Sequence, residues 1–149
     1  FFFLCSNCVC IITIFLDARP GVEMGALYDY FGVEDGTQIK WRHAVNDRAT
    51  LTKVLNDNTT NMIEADVSLS ASGVLIMAHP PNRTSDLTLH EFVMSILNGT
   101  TGPKRGFKLD FKEMAAVEPT LTWLKTLDTK KMPIMLNADI VSGPGTCIN

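Results

Sequence analysis

The sequence is short of positive charge. Lys and Arg together number 13 against 16 Asp and Glu, and they are scattered rather than clustered. A nucleic-acid surface or an anionic-membrane footprint needs a concentrated basic patch, so no nucleic acid is expected among the partners. Cysteine is also scarce. Three of the four, Cys5, Cys8 and Cys10, fall in the first sixteen residues, and Cys8-Val9-Cys10 has no second cluster with which to build a zinc site. Cys147 is left alone near the end, as a free thiol or one half of a pair. No glycine-rich phosphate loop follows the first expected strand, which counts against a dinucleotide-binding fold. No apolar run reaches the roughly 20 residues that a membrane-spanning helix requires.

What remains is a globular composition, 46% hydrophobic and 19% charged, in a length that suits one domain. Residues 1–16 are apolar apart from Ser6, Asn7 and Thr13, and the run stops at Asp17-Ala18-Arg19-Pro20. It reads as the hydrophobic part of a secretory signal peptide whose start is missing, with a cleavage site near Asp17-Ala18-Arg19. A membrane anchor is the alternative. The expected division is a signal-like segment over 1–17 and a domain over 18–149. Glycosylation triplets begin at Asn58, Asn82 and Asn98. Behind an export-like segment they point to a secreted, extracellular glycoprotein.

Strands and helices alternate along the domain. A short helix over 27–31 leads to Gly32. Strands are expected over 39–43, 62–69, 106–112 and 133–140, with a turn at 70–73 and a resumed strand over 74–78. Helices fill the gaps over 48–57, capped by Asp47, from Ser85 or Asp86 to Leu97, and over 114–127, with Pro119 marking a break. This βα alternation argues for a parallel sheet, either open and doubly wound or part of a barrel. The polar residues at the ends of several different strands favour the barrel. The fold class is therefore α/β, the N-terminal half of a (β/α)8 TIM-type barrel with about four parallel strands, incomplete at this length.

Glu64 and Asp66 are two apart on one strand and share a face, with Ala65 and Val67 on the other. Paired carboxylates inside a fold repel and lose solvation, and a hard cation such as Mg²⁺ or Ca²⁺ removes both penalties. On the next strand Lys108, Asp110 and Lys112 share a face, giving a third carboxylate and two cations suited to a phosphate oxygen. His43 and His79 end strand segments near these acids and suit general acid and base roles, because imidazole titrates near neutral pH. His90 falls in a helix and is expected to face solvent. Asn46 either orients a ligand or caps the following helix, and Asn137 and Asp139 share a face of the fourth strand that lines the same cavity.

Six blocks, taken together and in order, closely resemble the menorin family. They are Trp41-Arg42-His43-Ala44-Val45-Asn46, Met62-Ile63-Glu64-Ala65-Asp66-Val67, Ile76-Met77-Ala78-His79-Pro80-Pro81, Ser85-Asp86-Leu87-Thr88-Leu89, Phe107-Lys108-Leu109-Asp110-Phe111-Lys112 and Asn137-Ala138-Asp139-Ile140. That family is similar in turn to the phospholipase-C-like phosphodiesterases, which include glycerophosphodiester phosphodiesterases and the spider-venom phospholipase D type. The resemblance implies a barrel, with His43 and His79 as the acid–base pair and Glu64, Asp66 and Asp110 as metal ligands. Lys112 resembles the lysine two residues beyond the third ligand of the venom-type enzymes. The glycerophosphodiesterases carry His-Arg-Gly where this chain has His43-Ala44-Val45, and an Asp where this chain has Pro80.

The expected function is that of an extracellular metal-dependent phosphodiesterase-type protein, acting on a phosphodiester small molecule or lipid headgroup. Lys108, Lys112, Asn46, Asn137 and Asp139 are its candidate phosphate-binding residues. The alternatives are a non-catalytic secreted protein that binds extracellular partners on the same scaffold, and a fragment without activity of its own.

Overall fold

The computed structural model describes residues 11–12, 24–99, 102–129 and 132–138. In chain order these form β1 (Ile11–Ile12), α1 (Met24–Phe31), a 3-10 turn (Gly36–Gln38), β2 (Trp41–Arg42), α2 (Arg48–Leu55), β3 (Met62–Leu69) and β4 (Leu75–Met77). Then come α3 (Leu89–Leu97), β5 (Gly106–Phe111), a second 3-10 turn (Met114–Ala116), α4 (Val117–Leu124) and β6 (Ile134–Ala138).

β3 is the centre of the sheet, and its first seven residues are buried. Its odd-numbered side chains, Ile63, Ala65 and Val67, join Phe107, Leu109 and Phe111 of β5 and Ile134 and Leu136 of β6 in one core. Leu51 and Val54 of α2, Phe92, Val93 and Ile96 of α3, and Leu124 of α4 close over that face. Burying each such large side chain stabilises the fold by roughly 1.5–3 kcal/mol. The strands β2, β3, β5 and β6 are parallel and stand side by side in chain order. A doubly wound sheet reverses its strand order, which these strands do not. The fold is thus mixed α/β with a parallel sheet wound in one direction.

The opposite face is closed at its lower end by α1. Leu27, Ile39 and Met62 form a small second core with Tyr28, Phe31, Val33 and Met135 around it. Above this apolar floor the same face carries the polar residues of β3 and β5.

β4 turns back from β3 through Ser70–Gly73, where Gly73 adopts φ +79°. The resumed strand expected over 74–78 is therefore present, but it runs antiparallel to β3. Val67 pairs with both Met77 of β4 and Phe111 of β5, so these two strands lie on opposite edges of β3. Met62 and Ile63 likewise pair with both β2 and β5. β2 and β4 therefore share one edge of β3, one below and one above.

Several expected boundaries move. The first strand is only Trp41–Arg42, because His43 leaves the ladder. Asp47 caps α2, accepting from the Thr50 N–H. α3 is capped by Thr88 and not by Ser85 or Asp86. Thr88 and Glu91 form a reciprocal capping box that satisfies two otherwise orphaned donors. Ser85 instead donates to the Asn46 carbonyl, and Asp86 accepts from the Arg48 N–H. Pro119 breaks nothing. It sits in the first turn of α4, where a helix has no use for the missing N–H, and the irregular step falls earlier, at Met114–Ala116.

Ile11–Ile12, inside the segment read as a secretion signal, pairs antiparallel with Asn137 and Leu136 of β6. No helix of the described residues is long and apolar enough to cross a membrane. Asn58, Asn82 and Asn98 are all exposed. The four cysteines, the proposed cleavage region at Asp17-Ala18-Arg19, and Asp139 lie outside the described residues.

Gly106 opens β5 where no side chain fits. A Cβ there would meet Met62 Sδ at 2.6 Å and the Pro133 carbonyl oxygen at 2.6 Å. The methionine can move but the backbone oxygen cannot without shifting β6. Gly106→Ala is expected to cost about 1–3 kcal/mol in denaturant unfolding, and an unchanged midpoint would contradict this packing.

Candidate metal centre

Strand register builds the site. In the parallel ladder Glu64 stands opposite Lys108, and Asp66 stands opposite Asp110, which stands opposite Asn137. Neighbours in register point to the same face, so the sheet gathers these side chains above the apolar floor. One oxygen from each of Glu64, Asp66 and Asp110 lies within 4.8 Å of the others. Glu64 and Asp66 are 6% and 5% exposed, and Asp110 is half-buried.

Each carboxylate is held from outside the trio. Ala44 donates its N–H to Glu64 Oε2 at 2.8 Å, and the Val45 N–H bonds the Glu64 carbonyl. Asn46 grips Asp66 twice: its Nδ2 donates to Asp66 Oδ2 at 2.7 Å, and its Oδ1 accepts from the Asp66 N–H at 2.9 Å. Asn137 Nδ2 donates to Asp110 Oδ1 at 2.7 Å. Lys112 bridges the two aspartates, with Nζ 3.0 Å from Asp66 Oδ1 and 2.9 Å from Asp110 Oδ2. Burial alone would push the Lys112 ammonium below the ordinary lysine value. The hydrogen bonds and charges of Asp110 and Asp66 outweigh it and raise the group above that value.

Two features fit this site to a divalent cation. Three carboxylates converge in a poorly solvated place, and the ammonium bonded to them, that of Lys112, reaches only Asp66 and Asp110. Asn137 Oδ1 is buried and accepts no hydrogen bond, although the same amide is anchored on Asp110 through its nitrogen. Reversing that amide would set two oxygens against each other, so the orphan is the oxygen. Three carboxylates, with an uncharged amide oxygen on the residue bonded to one of them, are the oxygen donors that a hard ion such as Mg²⁺ or Ca²⁺ takes.

The histidines approach from two directions along the edge of β3. His43 follows β2 from below. Its Nδ1 is 3.5 Å from Glu64 Oε2, and its ring stacks on Trp41 at 5.8 Å. His79 follows β4 from above. The Ala78 N–H bonds the Asp66 carbonyl, which holds the His79 backbone beside the site. The His79 ring is exposed, with Nδ1 2.7 Å from the Pro80 carbonyl oxygen. A carbonyl only accepts, so Nδ1 carries the proton and neutral His79 keeps its lone pair on Nε2. Lys108 shares the site face and makes no ion pair among the described residues. His90 is exposed on α3, 5.2 Å from the Trp123 ring, and takes no part.

Residues 35–149 match the family model described as the menorin N-terminal domain. The chain belongs to the menorin family. It is 42% identical over 136 residues to "Protein FAM151B" of Homo sapiens, an alignment covering 84% of this chain and 48% of that protein. The chain thus spans about half the length of that relative. No solved structure matches it.

Within this menorin-family chain, the sequence points to every side chain of the cluster, but not to every role. Asn46 neither caps α2 nor stands free; its amide is committed to Asp66. Lys112 holds carboxylates, and its two-residue offset from Asp110 is the signal for that. The Ala44 amide has no sequence signal, since a backbone donor leaves no mark on residue type. Its direction comes from the backbone: Ala44 has φ +54°, in the left-handed region. An L-residue there pays roughly 1–2 kcal/mol. Ala44→Gly is expected to be neutral or to gain up to about 1 kcal/mol, whereas β-branched Ala44→Val should lose more than about 1 kcal/mol. Denaturant unfolding of the two variants checks this; equal loss in both would place the constraint elsewhere.

Proposed function

We propose that this chain supplies the metal-ligating and acid–base part of an extracellular phosphodiesterase-type site, on one half of a (β/α) barrel. The observation that carries this reading is the buried Glu64–Asp66–Asp110 trio with the unpartnered Asn137 oxygen beside it. The strand order and the placement of polar groups at strand ends support the barrel. The three exposed sequon asparagines support a secreted protein.

In this reading Glu64, Asp66 and Asp110 hold Mg²⁺ or Ca²⁺. When bound, such an ion neutralises and polarises the phosphate of a phosphodiester. Lys108, on the same face, lines the place where that phosphate sits, and the Asn137 oxygen would be a further donor to the ion. One histidine takes the proton from the attacking oxygen, of water or of a substrate hydroxyl, as its bond to phosphorus forms. The other gives a proton to the leaving oxygen as the second P–O bond breaks. Glu64 steadies His43 through Nδ1, and the Pro80 carbonyl steadies His79 through Nδ1, so Nε2 of each ring is left to move the proton.

His43→Ala and His79→Ala are each expected to lower turnover of a chromogenic or lysolipid phosphodiester about 10²–10⁴-fold in the full-length protein, while Mg²⁺ binding by calorimetry persists. Unchanged turnover in both variants would remove the acid–base assignment. A full-length protein that binds neither Mg²⁺ nor Ca²⁺ would leave the other reading, a secreted interaction protein that keeps the scaffold without the chemistry.

A further inference from the structure

We propose that Lys112 is a displaceable internal cation: it holds Asp66 and Asp110 together until a divalent metal takes their oxygens, and then turns to bind the phosphate. This inference rests on the metal-dependent reading of the site and adds a control on it.

The hydrogen bonds set up the competition. Asp66 Oδ2 is occupied by the Asn46 amide, and Asp110 Oδ1 by the Asn137 amide. The remaining oxygens, Asp66 Oδ1 and Asp110 Oδ2, are the two that Lys112 Nζ contacts, at 3.0 and 2.9 Å. Asp66 Oδ1 and Asp110 Oδ2 accept from no group but Lys112 among the described residues, so they are the oxygens freest to ligate a metal that draws on both aspartates. Ammonium and metal therefore compete for one position, and two cations held side by side would repel.

The lysine is placed to leave. It follows the last residue of β5, tied through its own N–H to the Val67 carbonyl, so its backbone stays fixed while the side chain moves. Four methylenes give the ammonium reach, and the side chain is 15% exposed, so it is not sealed in. Lys112 lies on the side of the cluster away from the α1 floor, beyond the C-terminal end of β5. An ammonium released there carries its charge to an incoming phosphate. The consequence is coupling: lysine occupancy weakens metal binding, and phosphate, by holding the released lysine, strengthens it.

The test compares wild type and Lys112→Met in the full-length protein. The variant should bind Mg²⁺ at least about tenfold more tightly by calorimetry, by analogy with the effect of removing a neighbouring like charge. Inorganic phosphate should tighten Mg²⁺ binding in wild type but not in the variant. A second measurement needs no mutation. Acetylation of Lys112 by an amine reagent, read by mass spectrometry, should rise several-fold when Mg²⁺ replaces chelator, while exposed Lys40 and Lys53 react equally in both. Wild type that binds Mg²⁺ with no change in Lys112 labelling, or a variant that binds no more tightly, would overturn the exchange and leave the metal centre standing. Absence of Mg²⁺ and Ca²⁺ binding in both proteins would overturn the metal centre, and the exchange with it.

Discussion

Asp66 and Asp110 stand directly opposite each other on neighbouring strands of a buried face. Like charges in that position are destabilising, and burial sharpens the penalty. The nearby structure answers this one juxtaposition. Asn46 spends both ends of its amide on Asp66, Asn137 spends one end on Asp110, and Lys112 spans the gap between them. Charge-assisted hydrogen bonds of this kind contribute more than neutral ones, so removing any partner would expose the repulsion.

The architecture makes these partners available. β2 and β4 occupy the same edge of β3 at different heights, which leaves a short stretch around Glu64–Asp66 open between them. The loop after β2 fills that stretch from one end, delivering His43, the Ala44 amide and Asn46 within four residues. The end of β4 reaches it from the other, delivering His79. β5 and β6 supply Asp110, Lys112 and Asn137 from the far edge. Helices α2, α3 and α4 fix the register by filling the opposite face with apolar side chains, and a slip of one residue would turn every carboxylate into that core.

Much of this is legible in the sequence. The two-residue period of Met62–Leu69 and Gly106–Phe111 separates an apolar side from a charged side, and that alone gives the faces of both strands. Four parallel strands and three crossover helices follow from the alternation of periods. The direction of β4 does not follow, because a resumed apolar run reads the same whether it continues or reverses; the reversal depends on Gly73 at φ +79°. The start of α3 is misplaced by two or three residues because Ser85, Asp86 and Thr88 are all cap formers, and only the pairing with Glu91 decides among them. The choice of partners inside the site is hardest to read. Lys108 and Lys112 flank Asp110 symmetrically in sequence, yet only Lys112 closes on the aspartates, because Lys108 stands one register step lower, opposite Glu64.

A buried ion network can be purely structural, and this cluster has to be weighed against that simpler role. Structural networks persist when charge is balanced and every polar atom is paired, since apolar residues of the same volume would otherwise be as stable or more so. Neither condition holds here. The Lys112 ammonium is bonded to only two of the three carboxylates, and Asn137 Oδ1, on a residue 4% exposed, has no donor. A leucine at position 137 would remove the orphan oxygen, and the chain keeps an asparagine there. The carboxylates and the asparagine with the unpaired oxygen occupy two adjacent register levels of one sheet face, which favours a single explanation for both. A divalent cation would supply it, because two positive charges offset most of the excess negative charge and a hard ion takes neutral oxygens as well as carboxylates.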